Sequence, residues 1–190
     1  MALHFSKEEF HKRKLNTLKC MKEKNLDALL MFRQESMYWL TGYDTFGYVF
    51  FQTLILDQKG NVILLTRAPD LRQAQNTSNI EDIRIWVDKD GVNPTDDLKI
   101  ILDELNLKGK KIGVEYEAYG MTGRNALKLN KSLDGYCNVE DQSELITKLR
   151  VIKSNEEIIY VKKAAELADS ALDEAWKYTK AGASKSKILA

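Results

Sequence analysis

Short apolar runs alternate with segments of helical spacing along this chain, and no other feature limits the fold as strongly. The run DALLMF at residues 27–32 is continuously apolar after its first residue, as expected of a strand buried on both faces. The segments VILLT, IRIWV and KKIGVEY repeat a strand pattern further along. Helical segments lie between them, so the sequence predicts an α/β fold.

One strand pair interrupts the regular alternation. Residues 48–56 are rich in β-forming side chains, and the turn DQKGN connects them to VILLT as a β-hairpin. A hairpin adds an antiparallel pair to strands that are otherwise joined through helices. We therefore expect a mixed β-sheet flanked by helices, ending near residue 141 and followed by a long C-terminal helix.

Two capping-box signatures, each a serine followed three residues later by a glutamate, mark helix starts near opposite ends of the chain. Ser6 with Glu9 predicts a helix over residues 7–24, in which Phe10 lies on the apolar face. Ser154 with Glu157 predicts a helix that reaches about residue 180. Its apolar residues recur at three- and four-residue spacing, so this face must pack against the α/β domain or another partner.

Composition and charge exclude several classes of protein. The formal net charge of +1 gives no reason to expect a nucleic acid or an acidic membrane as partner. No apolar run approaches the roughly 20 residues that a membrane-spanning helix needs. The first residues lack the apolar stretch of a secretory signal. We expect a cytoplasmic protein without nucleic-acid or membrane partners.

Motifs that carry catalysis are absent from the sequence. Neither a G-x-G-x-x-G nor a P-loop motif is present, and no residues suggest a paired nucleophile and base. The histidines are His4 and His11, both near the N-terminus and expected to face solvent. The acidic pairs at 96–97 and 156–157 lie at predicted helix starts and are explained by the helix dipoles. We predict no catalytic residues and no metal ligands in this chain.

Two segments resemble the pita-bread metallohydrolases, the family of prolidase, aminopeptidase P, creatinase and ectoine hydrolase. KLRVIKSNEEI resembles the crossover between the two domains of that family, and MYWLTGYDTFGYVFFQTLIL resembles a loop and strand of its N-terminal domain. The matching crossover residues are Leu149, Arg150, Ile152, Lys153, Ser154, Glu157 and Ile158. Those of the loop and strand are Tyr38, Leu40, Thr41, Gly42, Tyr43, Asp44 and Gln52.

The resemblance implies a domain organisation for the chain. Residues 1–141 would form a creatinase/prolidase-type N-terminal domain, and residues 142–190 the linker and leading helices of a truncated catalytic domain. The missing part would hold a pair of divalent metal ions, Mn, Co or Zn. The chain alone would then not be an enzyme, whereas its parent would be a metal-dependent hydrolase. The implied partners are its own catalytic domain, a second subunit of a homodimer, and a small peptide or amide substrate.

The same resemblance implies that the loop after Thr41 and Gly42 approaches the partner subunit's active site and helps to select the substrate. The candidate substrate-binding residues are Tyr43, Asp44, Phe46 and Tyr48. In creatinase a Phe-Gly-Arg sequence near this point supplies an arginine for the substrate carboxylate. Here Phe46, Gly47 and Tyr48 stand instead, and no arginine lies between residues 42 and 57, which disfavours creatine.

The resulting functional expectation is a non-catalytic N-terminal domain of an Xaa-Pro dipeptidase-like or aminopeptidase P-like hydrolase. It would contribute to dimerisation and to one wall of the partner's substrate site. Two alternatives stay open. The parent could be an ectoine-type or creatinase-type amidohydrolase, or the chain could be a peptide- or protein-binding module without catalysis.

Overall fold

A computed structural model describes residues 3–189 and divides them into two compact units. The first unit ends at Val151, and the second begins at Ile152. The predicted domain boundary at residue 141 therefore falls before the helix Leu145–Val151, which belongs to the first unit. That helix stays with the α/β core because Leu145 and Ile146 are buried in it.

A mixed sheet, six-stranded in the described residues, forms the centre of the first unit. Its strands are β1 (Ala28–Met31), β2 (Thr53–Asp57), β3 (Val62–Arg67), β4 (Asp82–Trp86), β5 (Lys111–Val114) and β6 (Asn138–Asp141), in the spatial order β4-β3-β2-β1-β5-β6. β2 runs antiparallel to both of its neighbours, and every other pairing is parallel. The other strands therefore share one direction and place their carboxyl ends at one edge of the sheet.

Helices cover both faces of this sheet, which confirms the predicted α/β architecture. In chain order they are α1 (Lys7–Glu23), α2 (Gln34–Thr41), α3 (Leu71–Thr77), α4 (Pro94–Glu104), α5 (Gly123–Leu133) and α6 (Leu145–Val151). Leu98 of α4 and Leu129 of α5 belong to the core on one face. Met21 of α1, Leu40 of α2 and Ile146 of α6 belong to the core on the other. All four residues of β1 are buried, as its unbroken apolar run predicts.

The strand predicted over residues 48–56 is shorter than the sequence indicates. β2 begins at Thr53, and Gly47–Val49 forms a 3-10 turn instead. The neighbouring strand β1 ends at Met31, which pairs with Leu54, so the chain before Thr53 has no strand on that side. On its other side β3 continues past the Thr53–Leu65 pair to Arg67, so β2 lacks a partner on one side only, and β-forming side chains alone do not extend it.

Helix α1 buries a charged side chain that its apolar spacing does not predict. Phe10 is buried as expected, but so is Arg13. The Arg13 guanidinium lies 3.0 Å from the Glu9 carboxylate and donates a 2.8 Å hydrogen bond to the carbonyl oxygen of Trp39. It also lies 4.1 Å from the centre of the Phe5 ring. A carboxylate and aromatic faces thus replace the water that the guanidinium loses.

The second unit, as described, contains the long helix α7 (Asn155–Tyr178) and the short helix α8 (Lys185–Ile188). The predicted capping box is present. The Glu157 N–H donates to Ser154 Oγ at 3.2 Å, and the Ser154 N–H donates to Glu157 Oε2 at 2.8 Å. The predicted long C-terminal helix is therefore confirmed. Across residues 3–189, no helix combines the length and apolar character needed to cross a membrane.

Candidate functional site at the carboxyl edge of the sheet

The candidate site lies where the carboxyl ends of β1, β3 and β5 meet. The segment that leads into antiparallel β2, here called the β2 loop (residues 42–52), arrives at the same edge because β2 runs opposite to its neighbours. Ligands of open α/β sheets bind outside the carboxyl ends of the parallel strands. All four predicted substrate-binding residues belong to this loop.

Tyr43 anchors the base of the β2 loop from inside. Its side chain is fully buried, and its hydroxyl donates a 2.8 Å hydrogen bond to Gln52 Oε1. The Thr66 hydroxyl donates to the same amide oxygen at 3.1 Å. Burial raises the pKa of Tyr43, so the phenol stays protonated as a hydrogen-bond donor. The structure thus places Tyr43 under the loop, away from the surface that a ligand would touch.

Asp44, Phe46 and Tyr48 lie on the exposed side of the β2 loop. The loop backbone is held by α3, since the Asp44 N–H donates to Thr77 Oγ1 at 3.1 Å. The Phe46 N–H likewise donates to Gln73 Oε1 at 3.4 Å. With the backbone fixed in this way, the Phe46 side chain is 86% exposed and that of Tyr48 is 38% exposed. The structure brings these three predicted residues together at the surface.

Gly47 lets the β2 loop pass directly over a buried carboxylate. A Cβ at this position would lie 2.5 Å from Asp70 Oδ1, which no side chain tolerates without movement. The Gly47 N–H donates to Thr45 Oγ1 at 2.8 Å, and the Thr45 hydroxyl in turn lies 3.5 Å from Asp70 Oδ1. A larger residue here would have to displace the Asp70 carboxylate, which Thr45 and Arg67 contact.

Sequence reasoning missed Arg67, the last residue of β3. Its Cζ lies 3.4 Å from the centre of the Phe50 ring, and its Nε and Nη2 each donate to Asp70 Oδ2 at 3.2 Å. Nη1 lies 3.6 Å from a carboxylate oxygen of Asp88. Although the loop itself has no arginine, β3 supplies one beneath it. The carboxylates of Asp70 and Asp88 compensate the charge of Arg67. Its guanidinium packs on the Phe50 ring and so positions that side chain.

A buried carboxylate, also missed, lies at the end of β5. The Glu115 side chain accepts hydrogen bonds from the Phe32 and Arg33 N–H groups at 3.1 and 3.0 Å and from the Ser36 hydroxyl. Burial raises its pKa to about 7, and these hydrogen bonds, which favour the charged form, limit the increase. Glu115 is fully buried, so it connects three elements and contacts no ligand at the surface.

The chemistry available at this edge is recognition through aromatic surface. Within residues 3–189, no group of three or more His, Cys, Asp or Glu side chains is placed to hold a metal ion. A metal pair therefore does not fit the described part of this chain. His4 lies away from the β2 loop in the sequence and contacts the Tyr38 hydroxyl at 2.7 Å, and His11 is exposed on α1.

Comparison with known proteins adds the family. Residues 13–152 match the creatinase/prolidase N-terminal domain. The chain belongs to that family. The match ends at Ile152, close to Val151, where the first compact unit ends.

Curated relatives of this family member are longer proteins. An uncharacterised hydrolase/peptidase of Sinorhizobium fredii is 28% identical over 91% of the chain and 46% of its own length. The ectoine hydrolase of Halomonas elongata is 24% identical over 100% of the chain and 49% of its own length. The chain thus spans about half the length of the curated relatives it matches.

Solved structures share the fold of this family member. The crystal structure of a recombinant prolidase from Thermococcus sibiricus superposes with a TM-score of 0.77 at 23% sequence identity. The match covers 94% of this chain and 47% of that prolidase. At this level of identity the likeness establishes the mixed sheet, its flanking helices and the long C-terminal helix.

Proposed function

We propose that this chain is the non-catalytic N-terminal domain of an Xaa-Pro dipeptidase-like or aminopeptidase-like hydrolase and forms one wall of the partner subunit's substrate site. The observation that carries the proposal is the exposure of Phe46 and Tyr48 on a loop whose backbone is hydrogen-bonded to α3. Exposed aromatic side chains on a fixed backbone bind a ligand at low entropic cost. Membership of the creatinase/prolidase N-terminal domain family supports the assignment.

Catalysis would belong to the half of the relatives' length that this chain does not span. A pair of divalent ions, Mn, Co or Zn, would activate water and polarise the scissile carbonyl there. The present chain would contribute substrate selection through Asp44, Phe46 and Tyr48, with Tyr43 supporting the loop. The assembly would be a homodimer, because the wall serves the site of a second subunit. Its proposed location is the cytoplasm.

A second candidate is an amidohydrolase of the ectoine type. It is favoured by the ectoine hydrolase of Halomonas elongata, which matches the chain over its whole length. The two candidates share the role of the β2 loop and differ in the ligand it faces. A peptide offers an apolar or ring side chain to the aromatic wall, whereas ectoine is a small cyclic zwitterion.

The deciding experiment compares the 190-residue chain with the full-length protein. Both receive manganese, cobalt or zinc, followed by Xaa-Pro dipeptides or ectoine. We expect hydrolysis and stoichiometric metal only in the full-length protein. Hydrolysis by the 190-residue chain would overturn the proposal. A full-length protein without activity on either substrate would leave the binding module as the better assignment.

Two substitutions then locate the wall. Tyr48→Ala in the full-length protein should change the ratio of kcat/KM between dipeptides and leave the bound metal unchanged. Ile100→Ala, on the outer face of α4, provides the matched exposed control and should change neither quantity. If Tyr48→Ala changed the ratio of kcat/KM between dipeptides no more than Ile100→Ala does, the proposed role of the β2 loop would be contradicted.

A further inference from the structure

A second loop lies against the β2 loop. Residues 115–122 connect β5 to α5, and β5 is parallel to β1, so they reach the same edge of the sheet. Gly120 makes the contact. A Cβ at this position would overlap the carbonyl oxygen of Phe50 and lie 3.2 Å from that of Tyr48. The Asn125 side-chain amide donates a 2.8 Å hydrogen bond to the Gly120 carbonyl oxygen, which fixes the loop to α5.

Tyr119, the residue before Gly120, extends from this contact into solvent. Its side chain is 75% exposed, and its ring centre lies 5.6 Å from that of Tyr48 with the ring planes at 75°. Among residues 3–189 the Tyr119 hydroxyl has no hydrogen-bond partner. Core packing does not explain the placement of a ring that is mostly exposed. The backbone contact at Gly120 keeps the rings of Tyr48 and Tyr119 next to each other, and this pair of rings is here called the corner.

The size of the corner indicates what it binds. A whole aromatic side chain can bury roughly 200 Å² and these two are only partly exposed, whereas a stable protein partner covers about 800 Å² on each side. Two rings therefore fit one side chain of a small ligand and are too small for a protein face. Aromatic faces favour apolar C–H groups or cations.

Charge disfavours an acidic side chain at this corner. Two arginines beside the loops are already paired, Arg67 with Asp70 and Arg33 with Glu117. Neither guanidinium is therefore available to an acidic ligand without loss of an existing ion pair. The Tyr48 and Tyr119 rings then provide the main contact surface of the corner.

We propose that Tyr119 is a specificity-determining residue of the substrate wall, where it contacts, together with Tyr48, an apolar side chain of the peptide. The inference rests on the proposed function, because the catalytic half of a neighbouring subunit would hold the peptide against this corner. The inference adds Tyr119, which lies outside the β2 loop, to the residues proposed to select the substrate. It also specifies that the selected substrate side chain is apolar.

A kinetic experiment on the full-length protein tests the selection. Tyr119→Ala should lower kcat/KM for Phe-Pro relative to Gly-Pro by roughly three- to tenfold, as expected for one lost aromatic contact. Tyr119→Phe keeps the ring and should retain the ratio. Leu127→Ala removes an equally exposed side chain from α5 and should leave it unchanged. An equal loss on both dipeptides, or no loss, overturns the inference.

A binding measurement separates this inference from the proposed function. With 3-fluorotyrosine in the full-length protein, the ¹⁹F signal lost in Tyr119→Phe identifies Tyr119, and Phe-Pro should shift it more than Gly-Pro does. A shift without hydrolysis of any Xaa-Pro dipeptide would retain the inference and reject the proposed function. Hydrolysis with neither a shift nor a changed kinetic ratio would retain the proposed function and reject the inference about Tyr119. Absence of both hydrolysis and a shift would reject the proposed function and the inference together.

Discussion

The Ser36 hydroxyl donates a 2.6 Å hydrogen bond to Glu115 Oε1, across 79 residues of sequence. The other oxygen of that carboxylate accepts the N–H groups of Phe32 and Arg33. One buried side chain thus joins the end of β1, the start of α2 and the end of β5, at the edge of the sheet that carries the candidate site. Replacing it should affect stability in a pH-dependent manner.

The pKa of Glu115 predicts how stability changes with pH. Burial raises it from the ordinary 4.5 to about 7, so between these pH values the folded chain binds more protons than the unfolded chain. The contribution of this group to the free energy of unfolding is therefore fully present below pH 4.5 and lost by about pH 7, by roughly 3 kcal/mol. In Glu115→Gln this part of the pH dependence should disappear.

The measurement is urea unfolding of the wild type and the variant from pH 4.5 to pH 7.5. Glu117→Gln serves as the control, because its side chain is 77% exposed and pairs with Arg33 only at the surface. The difference in unfolding free energy between Glu115→Gln and wild type should move in favour of the variant as pH rises. A difference that is constant with pH would contradict the buried titration.

Substitution of Gly120 tests the contact between the two loops, and the same substitution at Gly123 is its control. Gly120→Ala places a Cβ onto the carbonyl oxygen of Phe50, whereas Gly123→Ala meets nothing within 4 Å at the start of α5. We expect Gly120→Ala to destabilise by about 2 kcal/mol through steric overlap. Gly123→Ala should be neutral or stabilise by about 0.5 kcal/mol. Thermal unfolding of both variants checks this, and equal Tm values would contradict the contact.

Local pattern was sufficient for most elements of the fold. The Ser154 and Glu157 capping box is satisfied within three residues, so the sequence contains the whole interaction that starts α7. The buried run of β1 is likewise visible as consecutive apolar residues. Where β2 begins could not be predicted in this way, because β-forming side chains continue before Thr53 without forming a strand there.

The candidate site was only partly predictable, because its contacts join distant parts of the chain. Tyr43 stands before a strand in an aromatic-rich loop, and its burial depends on Gln52 and Thr66, which no local pattern connects to it. Arg67 ends β3 and Tyr119 follows β5, two strands parallel to β1, and both residues reach the β2 loop only through the order of strands in the sheet. That order is a tertiary property, and short-range periodicity does not encode it.

Arg67 should prove essential for the shape of the β2 loop. Arg67→Met removes the ion pair of the buried Asp70 and the cation over the Phe50 ring. We expect a loss of roughly 3 kcal/mol, mostly from the uncompensated carboxylate. Limited proteolysis should detect faster cleavage in residues 42–52. Arg67→Met combined with Asp70→Asn should regain part of the stability, and a double variant no more stable than the single one would contradict the ion-pair explanation.

The buried pair of Arg13 and Glu9 joins helix α1 to helix α2, through the hydrogen bond from Arg13 to Trp39. Arg13→Met retains much of the apolar contact with the Phe5 ring but leaves the nearly buried Glu9 carboxylate without its ion pair. The expected cost is about 3 kcal/mol, and adding Glu9→Gln should recover part of it, because the charge that needs compensation is then gone. Urea unfolding followed by tryptophan fluorescence measures both, since the Trp39 ring lies 5.3 Å from the Arg13 guanidinium. Additive effects of the two substitutions would show that the ion pair contributes nothing and that the hydrogen bond to Trp39 and the aromatic contacts keep Arg13 buried.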